Sequence, residues 1–126
     1  MLSKKTLKLW VPTLFWCLVI FVLSSLPGAD FSANKGDNFL IRKSLHVIEY
    51  GVLTVCLFRA TKKVGLAVLL SILYAVSDEV HQDFIIGRTG KVSDVLFDGF
   101  ASMLAGLILW KYFQNLPQKL KSWLHE

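Results

Sequence analysis

Long hydrophobic stretches alternate with short polar segments along this chain. From Leu9 to Ala29 no residue is charged. A helix at the surface of a soluble protein needs a polar face, and this segment has none. Because about 20 apolar residues cross the hydrocarbon core of a bilayer, the pattern predicts a first transmembrane helix.

The same alternation continues to the end of the chain and predicts an all-α, integral membrane four-helix bundle formed by one domain, 1–126. The predicted spans are approximately 9–26, 44–58, 64–82 and 94–110. The Gly, Asp and Asn residues between Pro27 and Asn38 predict a loop, and Ser93 or Asp94 is a candidate N-cap for the fourth span. Residues 114–126 are predicted to form an interfacial helix or, equally, a frayed tail.

Composition agrees with this class and excludes others. Hydrophobic residues make up 54% of the 126 residues, whereas soluble domains contain about 45–50%. A disordered chain would be far less hydrophobic, and a disulfide-stapled miniprotein would have more than two cysteines.

The net charge of +5 is distributed unevenly around the predicted spans. Five cations lie at the end of the spans away from the termini, namely Lys35, Arg42, Lys43, Arg88 and Lys91. The other nine lie at the end that carries the termini, namely Lys4, Lys5, Lys8, Arg59, Lys62, Lys63, Lys111, Lys119 and Lys121. This bias predicts that both termini are cytoplasmic. Nothing resembles a nucleic-acid-binding module, so no nucleic acid partner is expected, and the oligomeric state stays open.

Polar residues other than these cations gather at the end of the spans opposite the termini. His46 and Glu49 are three positions apart and share a helix face with Tyr50. Two further helical stripes follow the same logic: Ser71, Tyr74, Asp78 and His81 on the third span, and Asp94, Asp98, Ser102 and Gly106 on the fourth. Both stripes are expected to face the interior, because lipid cannot solvate a carboxylate and small residues allow close helix packing.

These residues are the candidates for a functional site. The candidate catalytic residues are His46, Glu49, Asp78, His81, Asp94 and Asp98. The candidate substrate-binding residues are Lys43, Tyr50, Gln82, Arg88 and Lys91. A divalent metal is possible, with Asp78 and His81 as possible ligands, although the H-E-x-x-H zinc motif is absent.

Each candidate also has a structural interpretation. The role of His46 could be limited to helix packing and that of Asp94 to capping a helix. Arg88 could be an ordinary loop cation. Glu79 lies off the Asp78 stripe and is expected only to end a span.

Two motifs resemble those of VanZ-like membrane proteins. The first is Lys43-Ser44-Leu45-His46-Val47-Ile48-Glu49-Tyr50-Gly51. The second is Ser77-Asp78-Glu79-Val80-His81-Gln82-Asp83-Phe84, followed by Gly87-Arg88-Thr89-Gly90 and Ser93-Asp94-Val95. Around Asp98 the family more often has Asn and Gly. The resemblance implies a bacterial, Gram-positive, multi-pass cell-membrane protein of a family associated with resistance to teicoplanin and related antibiotics.

Three hypotheses about function follow. The first is an outer-leaflet site that binds or modifies a cell-envelope precursor, such as a lipid-linked phosphate or a stem peptide held by Arg88 and Lys43. The second is a non-catalytic protein that binds or shields a membrane lipid or the antibiotic. The third and weakest is a proton or ion pathway, for which Ser71 and Tyr74 are the only candidates in the apolar halves of the spans. Whether the protein is an enzyme stays open.

Overall fold

The computed structural model describes residues 4–27 and 34–126, and these residues fold into helices. The helices are α1 (Lys4–Ser25), α2 (Lys35–Thr61), α3 (Val64–Gln82), α4 (Val92–Tyr112) and α5 (Gln118–His125), with a 3-10 turn at Phe113–Asn115. No strand occurs in the described ranges. The predicted all-α class is therefore confirmed.

Three segments are long and apolar enough to cross a membrane, namely Lys4–Ser25, Val64–Gln82 and Val92–Asn115. They contain the predicted first, third and fourth spans, and they carry many large exposed apolar side chains, such as Phe15 and Leu69. Such surfaces are stable in lipid and not in water. The chain therefore has the helices of a membrane protein.

Helix α2 does not meet the same criterion, because Arg42, Lys43, Glu49 and Arg59 lower its apolarity. Its crossing of the membrane therefore stays a prediction. The same holds for the complete four-helix membrane bundle and for the cytoplasmic position of both termini.

The start of α2 differs from the predicted loop. Asn34 is the N-cap, its side chain accepts a hydrogen bond from the Gly36 N–H, and Asp37 lies in the first turn. A capping Asn and an acidic first turn are typical of a helix start, so the prediction of a loop up to Asn38 is wrong beyond Asn34. The predicted loop positions 28–33 lie outside the described residues.

The start of α4 also differs from its prediction. Neither Ser93 nor Asp94 is the N-cap; the helix begins at Val92, after Lys91 in extended conformation. Asp94 lies in the first turn instead, where its negative charge interacts favourably with the helix dipole.

Helix α2 occupies the centre of the fold, in contact with α1, α3 and α4, while α3 also packs on α4. Side-chain hydrogen bonds join neighbouring helices: the Trp16 indole donates to the Glu49 carbonyl (2.8 Å), and the Tyr74 hydroxyl donates to the Cys17 carbonyl (2.7 Å). The buried core contains Ile20, Tyr50, Leu53, Leu57, Ala67, Ala75 and Ala101.

The interface between α3 and α4 is built from small residues. The Ser71 and Ser102 hydroxyls are 2.8 Å apart and fully buried. At Gly106 an added methyl group would lie 2.5 Å from Val68 Cγ2, so only glycine permits this approach of the two helices. The predicted inward orientation of the fourth-span stripe is confirmed by the burial of Asp98, Ser102 and Gly106.

Arg59 holds the C-terminal tail against the start of α1 and the end of α2. Its side chain is 2% exposed and donates to the carbonyls of Trp123 (2.9 Å) and Lys8 (3.0 Å). Lys62 also donates to the Leu124 carbonyl; its partial desolvation and the nearby Arg59 charge lower the pKa of the Lys62 ammonium. Helix α5 is therefore docked beside the start of α1 and the end of α2.

Candidate functional site

A cavity of about 840 Å³ opens where α1 and α3 end and where α2 and α4 begin. Its wall includes seven of the residues predicted for the site, namely Lys43, His46, Glu49, Gln82, Arg88, Lys91 and Asp94. Tyr50, Asp78 and Asp98 are buried and are hydrogen-bonded to one another or to residues of the wall. The structure therefore brings most of the predicted residues together.

The charges on the cavity wall are predominantly positive. Among the residues that the structure describes, five cations line it, namely Lys35, Arg42, Lys43, Arg88 and Lys91, and two carboxylates, those of Glu49 and Asp94. Apolar side chains from three helices line the same space, namely Leu23, Leu26, Phe39, Leu45 and Phe97. The cavity therefore combines positive charge with an apolar surface.

Lys43 joins α2 to the start of α4. Its ammonium forms an ion pair with Asp94 and lies 4.7 Å from the centre of the Phe97 ring and 5.6 Å from that of Phe39. These contacts fix the position of the ammonium and explain why Asp94 does not act as a cap. A cation over an aromatic face is stabilised by the negative potential of the ring.

Arg88 joins the α3–α4 loop to the end of α1. Its guanidinium donates to the carbonyls of Leu26 (2.8 Å) and Leu23 (3.1 Å) and to the Gln82 side-chain oxygen (3.3 Å). The last carbonyls of a helix have no partner within the helix, and Arg88 provides donors for two carbonyls there. Arg88 is thus more than a loop cation, because it fixes one side of the cavity.

A buried hydrogen-bond network lies next to the cavity wall. The Tyr50 hydroxyl (3.2 Å) and the Gln82 amide nitrogen (3.1 Å) both donate to Asp78 Oδ2. Gln82 also accepts from Arg88, so one chain of contacts runs from α2 through α3 to α1. The predicted inward orientation of Asp78 is confirmed by its burial.

His46 and Asp98 form a second pair, between α2 and α4. The His46 Nδ1 and Asp98 Oδ1 atoms are 3.0 Å apart. The Asp98 side chain is 0% exposed, and its other oxygen, Oδ2, is buried without a hydrogen-bond partner in the described part of the chain. The Asp98 carboxylate therefore has unused capacity to accept a donor or bind a cation.

Glu79 belongs to the site, contrary to the expectation that it only ends a span. It is buried, and its Oε2 accepts from the Lys91 backbone N–H (2.8 Å). Helix α3 packs against both α2 and α4, so two consecutive residues about 100° apart can both face a neighbouring helix. The signal that sequence reasoning missed is that a helix packed on two sides buries more than one stripe.

The loop between α3 and α4 is shaped around Glu79. Gly90 donates its N–H to Asp83 Oδ1 (2.8 Å) and passes so close to the Glu79 carbonyl that a methyl group at this position would clash with it. A glycine is therefore required at 90 for Lys91 to reach Glu79.

His81 lies apart from Asp78, its proposed partner as a metal ligand. Its Nε2 is 2.9 Å from the Ser25 hydroxyl, and its ring stacks on Phe21 at 4.5 Å between centroids. His81 therefore holds α1 against α3. Asp78 instead binds Tyr50 and Gln82.

Glu49 lines the cavity beside His46. Its side chain is half-buried, and its carboxylate makes no hydrogen bond to the residues that the structure describes. A carboxylate with free acceptor positions in a cavity wall can accept a proton from a bound molecule or bind a donor group.

A family model described as VanZ/LLP1 matches residues 6–114 of the chain. The matched segment includes α2, α3 and α4, which carry most of the residues of the cavity. No curated protein and no solved structure matched the chain in the corresponding searches.

Proposed function

Because the chain belongs to the VanZ/LLP1 family, whose members are membrane proteins linked to resistance, we propose that its cavity binds the anionic headgroup of a lipid-linked cell-envelope precursor. The observation that carries the proposal is the charge of the cavity wall, where the described lining residues include five cations and two carboxylates. The ligand class is a phosphate or pyrophosphate on a long apolar chain.

Electrostatics favours an anion in this cavity. A concave site with charges of one sign and walls of low dielectric constant concentrates ions of the opposite sign. Lys43 and Arg88 are already held in place by Asp94 and by the end of α1, so little conformational entropy is lost when they meet a ligand. Lys91 also lines the cavity, and its side chain is exposed.

The apolar part of the cavity wall suits the start of a lipid chain. Leu23 and Leu26 come from the end of α1, and Phe39 and Leu45 come from α2. The surfaces of both helices continue with exposed apolar residues, so a headgroup in the cavity could keep its chain in contact with hydrocarbon. A soluble anion such as free phosphate would not use this surface.

The proposal places α2 across the membrane and the cavity at the outer face. The outward side of α2 carries exposed apolar residues, with Leu40 64% and Ile48 58% exposed, while its charged groups Lys43 and Glu49 face the cavity. Together with the nine-to-five distribution of cations, this supports cytoplasmic termini.

Cysteine labelling tests the orientation. In cells carrying a variant without native cysteines, Lys91→Cys is expected to react with a membrane-impermeant maleimide, and Lys62→Cys only after the cells are opened. Labelling of Lys62→Cys alone in intact cells would contradict the outer-face site.

Binding by the purified full chain in detergent tests the ligand class. The probes are a polyprenyl phosphate and the matching uncharged polyprenol, titrated while tryptophan fluorescence is followed. We expect the phosphate to bind more tightly, and Lys91→Gln to weaken it about tenfold, because a charge-assisted hydrogen bond contributes about 1.5–3 kcal/mol and 1.4 kcal/mol is tenfold. The matched control is Lys119→Gln on α5, outside the cavity, which should bind as the unchanged protein does. Equal binding of both probes would refute the proposal.

A chemical step on the bound lipid is the second candidate function, and it depends on Glu49. This carboxylate lines the cavity three residues from His46, which lies on the same wall, in the arrangement of a general base beside a histidine. If the protein modifies its ligand, Glu49→Gln should retain lipid binding but lose protection against teicoplanin in a susceptible host. Full protection by Glu49→Gln would favour binding alone.

A further inference from the structure

Three side chains from three different helices converge beside the cavity: His46 from α2, Glu79 from α3 and Asp98 from α4. One ligand atom from each of them, a ring nitrogen or a carboxylate oxygen, lies within 4.8 Å of the other two. The possible metal ligands predicted from the sequence are Asp78 and His81, and Glu79 is not among them. The cluster defined here, the His46–Glu79–Asp98 triad, is therefore a different set of residues.

The triad places two buried carboxylates beside one imidazole. Asp98 is 0% exposed and Glu79 5% exposed, and a buried carboxylate is costly unless it is paired or bound to a metal. The His46 ring contacts one oxygen of Asp98, Oδ1. Asp98 Oδ2 is left buried without a partner among the described residues.

We propose that the His46–Glu79–Asp98 triad binds one divalent metal ion, of the class of Zn²⁺ or Mn²⁺. An imidazole nitrogen together with carboxylate oxygens is a donor set that such ions accept. Ligand atoms about 2.1 Å from a tetrahedral ion lie roughly 3.4 Å from one another, so the observed spacing requires only a small contraction by side-chain rotation. The ion would meet the unpartnered Asp98 oxygen and neutralise both acids.

Neighbouring groups orient the ligands in the way that metal sites require. Glu79 Oε2 is held by the Lys91 N–H at 2.8 Å, and Glu79 Oε1 lies 3.5 Å from the Gln82 amide nitrogen. A simple His46–Asp98 ion pair would leave Asp98 Oδ2 without a partner among the described residues. Asp78 is not part of the triad, and its Oδ2 accepts hydrogen bonds from Tyr50 and Gln82.

Metal content of the purified full chain, without lipid, tests this inference. The protein in detergent is stripped with a chelator, dialysed against Zn²⁺ or Mn²⁺, passed through a desalting column and analysed by elemental mass spectrometry. We expect about one ion per chain in the unchanged protein, and a loss of at least tenfold in affinity for Asp98→Asn and for Glu79→Gln. Asp78→Asn is the matched control, a buried carboxylate outside the triad, and should retain the ion.

Folding of the variants is checked by helical circular dichroism and by gel filtration. The unchanged protein decides the question even if a variant does not fold: less than about a tenth of an ion per chain after loading would overturn the proposal. Equal metal content in folded Asp98→Asn and in the unchanged protein would do so as well. Because no lipid is present, failure here leaves the proposed lipid binding untouched, and failure of lipid binding leaves the metal site untouched.

Discussion

Replacement of Arg88 by lysine tests whether this side chain holds the end of α1 against the α3–α4 loop. The substitution keeps the positive charge in the cavity and removes the planar fork. The Arg88 guanidinium makes three hydrogen bonds: to the Leu23 carbonyl in the last turn of α1, to the Leu26 carbonyl just after it, and to the Gln82 side chain. A lysine ammonium is a single point of charge and can replace one of them.

The expected loss follows from the two hydrogen bonds that remain unmade. Each contributes about 0.5–1.5 kcal/mol net, and the lower figures suit Arg88 because it is partly exposed. The variant should therefore be less stable by about 1 kcal/mol, which is roughly a fivefold change in the unfolding equilibrium.

The assay is reversible unfolding of the purified protein in mixed detergent with increasing SDS, followed by circular dichroism. Lys63→Arg is the control, since Lys63 is exposed at the other end of the fold and should unfold as the unchanged protein does. If Arg88→Lys and the unchanged protein differ by less than about 0.3 kcal/mol, below the net value of one hydrogen bond, Arg88 does not anchor α1.

Three further substitutions test the packing. Gly106→Leu should destabilise the protein by about 1–3 kcal/mol in the same SDS assay, because the side chain would overlap Val68 and overpacking carries this cost; unchanged stability would contradict the close contact of α3 and α4. Tyr50→Phe should cost about 1 kcal/mol, because Asp78 loses one of two donors; a stabilised variant would contradict the network. Arg59→Lys should raise hydrogen exchange, measured by mass spectrometry, in α5 and at the start of α1, because Arg59 donates to carbonyls of both; unchanged exchange in α5 would show that Arg59 does not hold the tail.

The membrane class could be predicted from the sequence because hydrophobic length is a local property. The uncharged run from Leu9 and the small-residue stripe ending at Gly106 each specify a helix and a face without knowledge of the partner. The inward orientation of Asp78 and Asp98 followed from the cost of a carboxylate in lipid. These inferences need no tertiary contact, and burial of both residues confirms them.

Features that depend on a partner helix could not be predicted. The sequence cannot show that Glu79 contacts the start of α4 while Asp78 contacts α2, because this depends on how α3 packs against both helices. Nor can it show that His81 points to Ser25 and Phe21 on α1, since helical spacing places it on the Asp78 stripe. The predicted N-cap of α4 was wrong for a related reason: Asp94 pairs with Lys43, a residue far away in sequence.

Native mass spectrometry of the chain, purified gently from its own membranes, tests most directly whether the cavity binds an anionic lipid-linked precursor. We expect one bound isoprenoid lipid with a phosphate or pyrophosphate group per chain. The amount of this lipid should be lower in Lys91→Gln and unchanged in Lys119→Gln. Recovery of only neutral or bulk membrane lipids, in equal amounts from both variants, would contradict the assignment of the cavity as a site for an anionic envelope precursor.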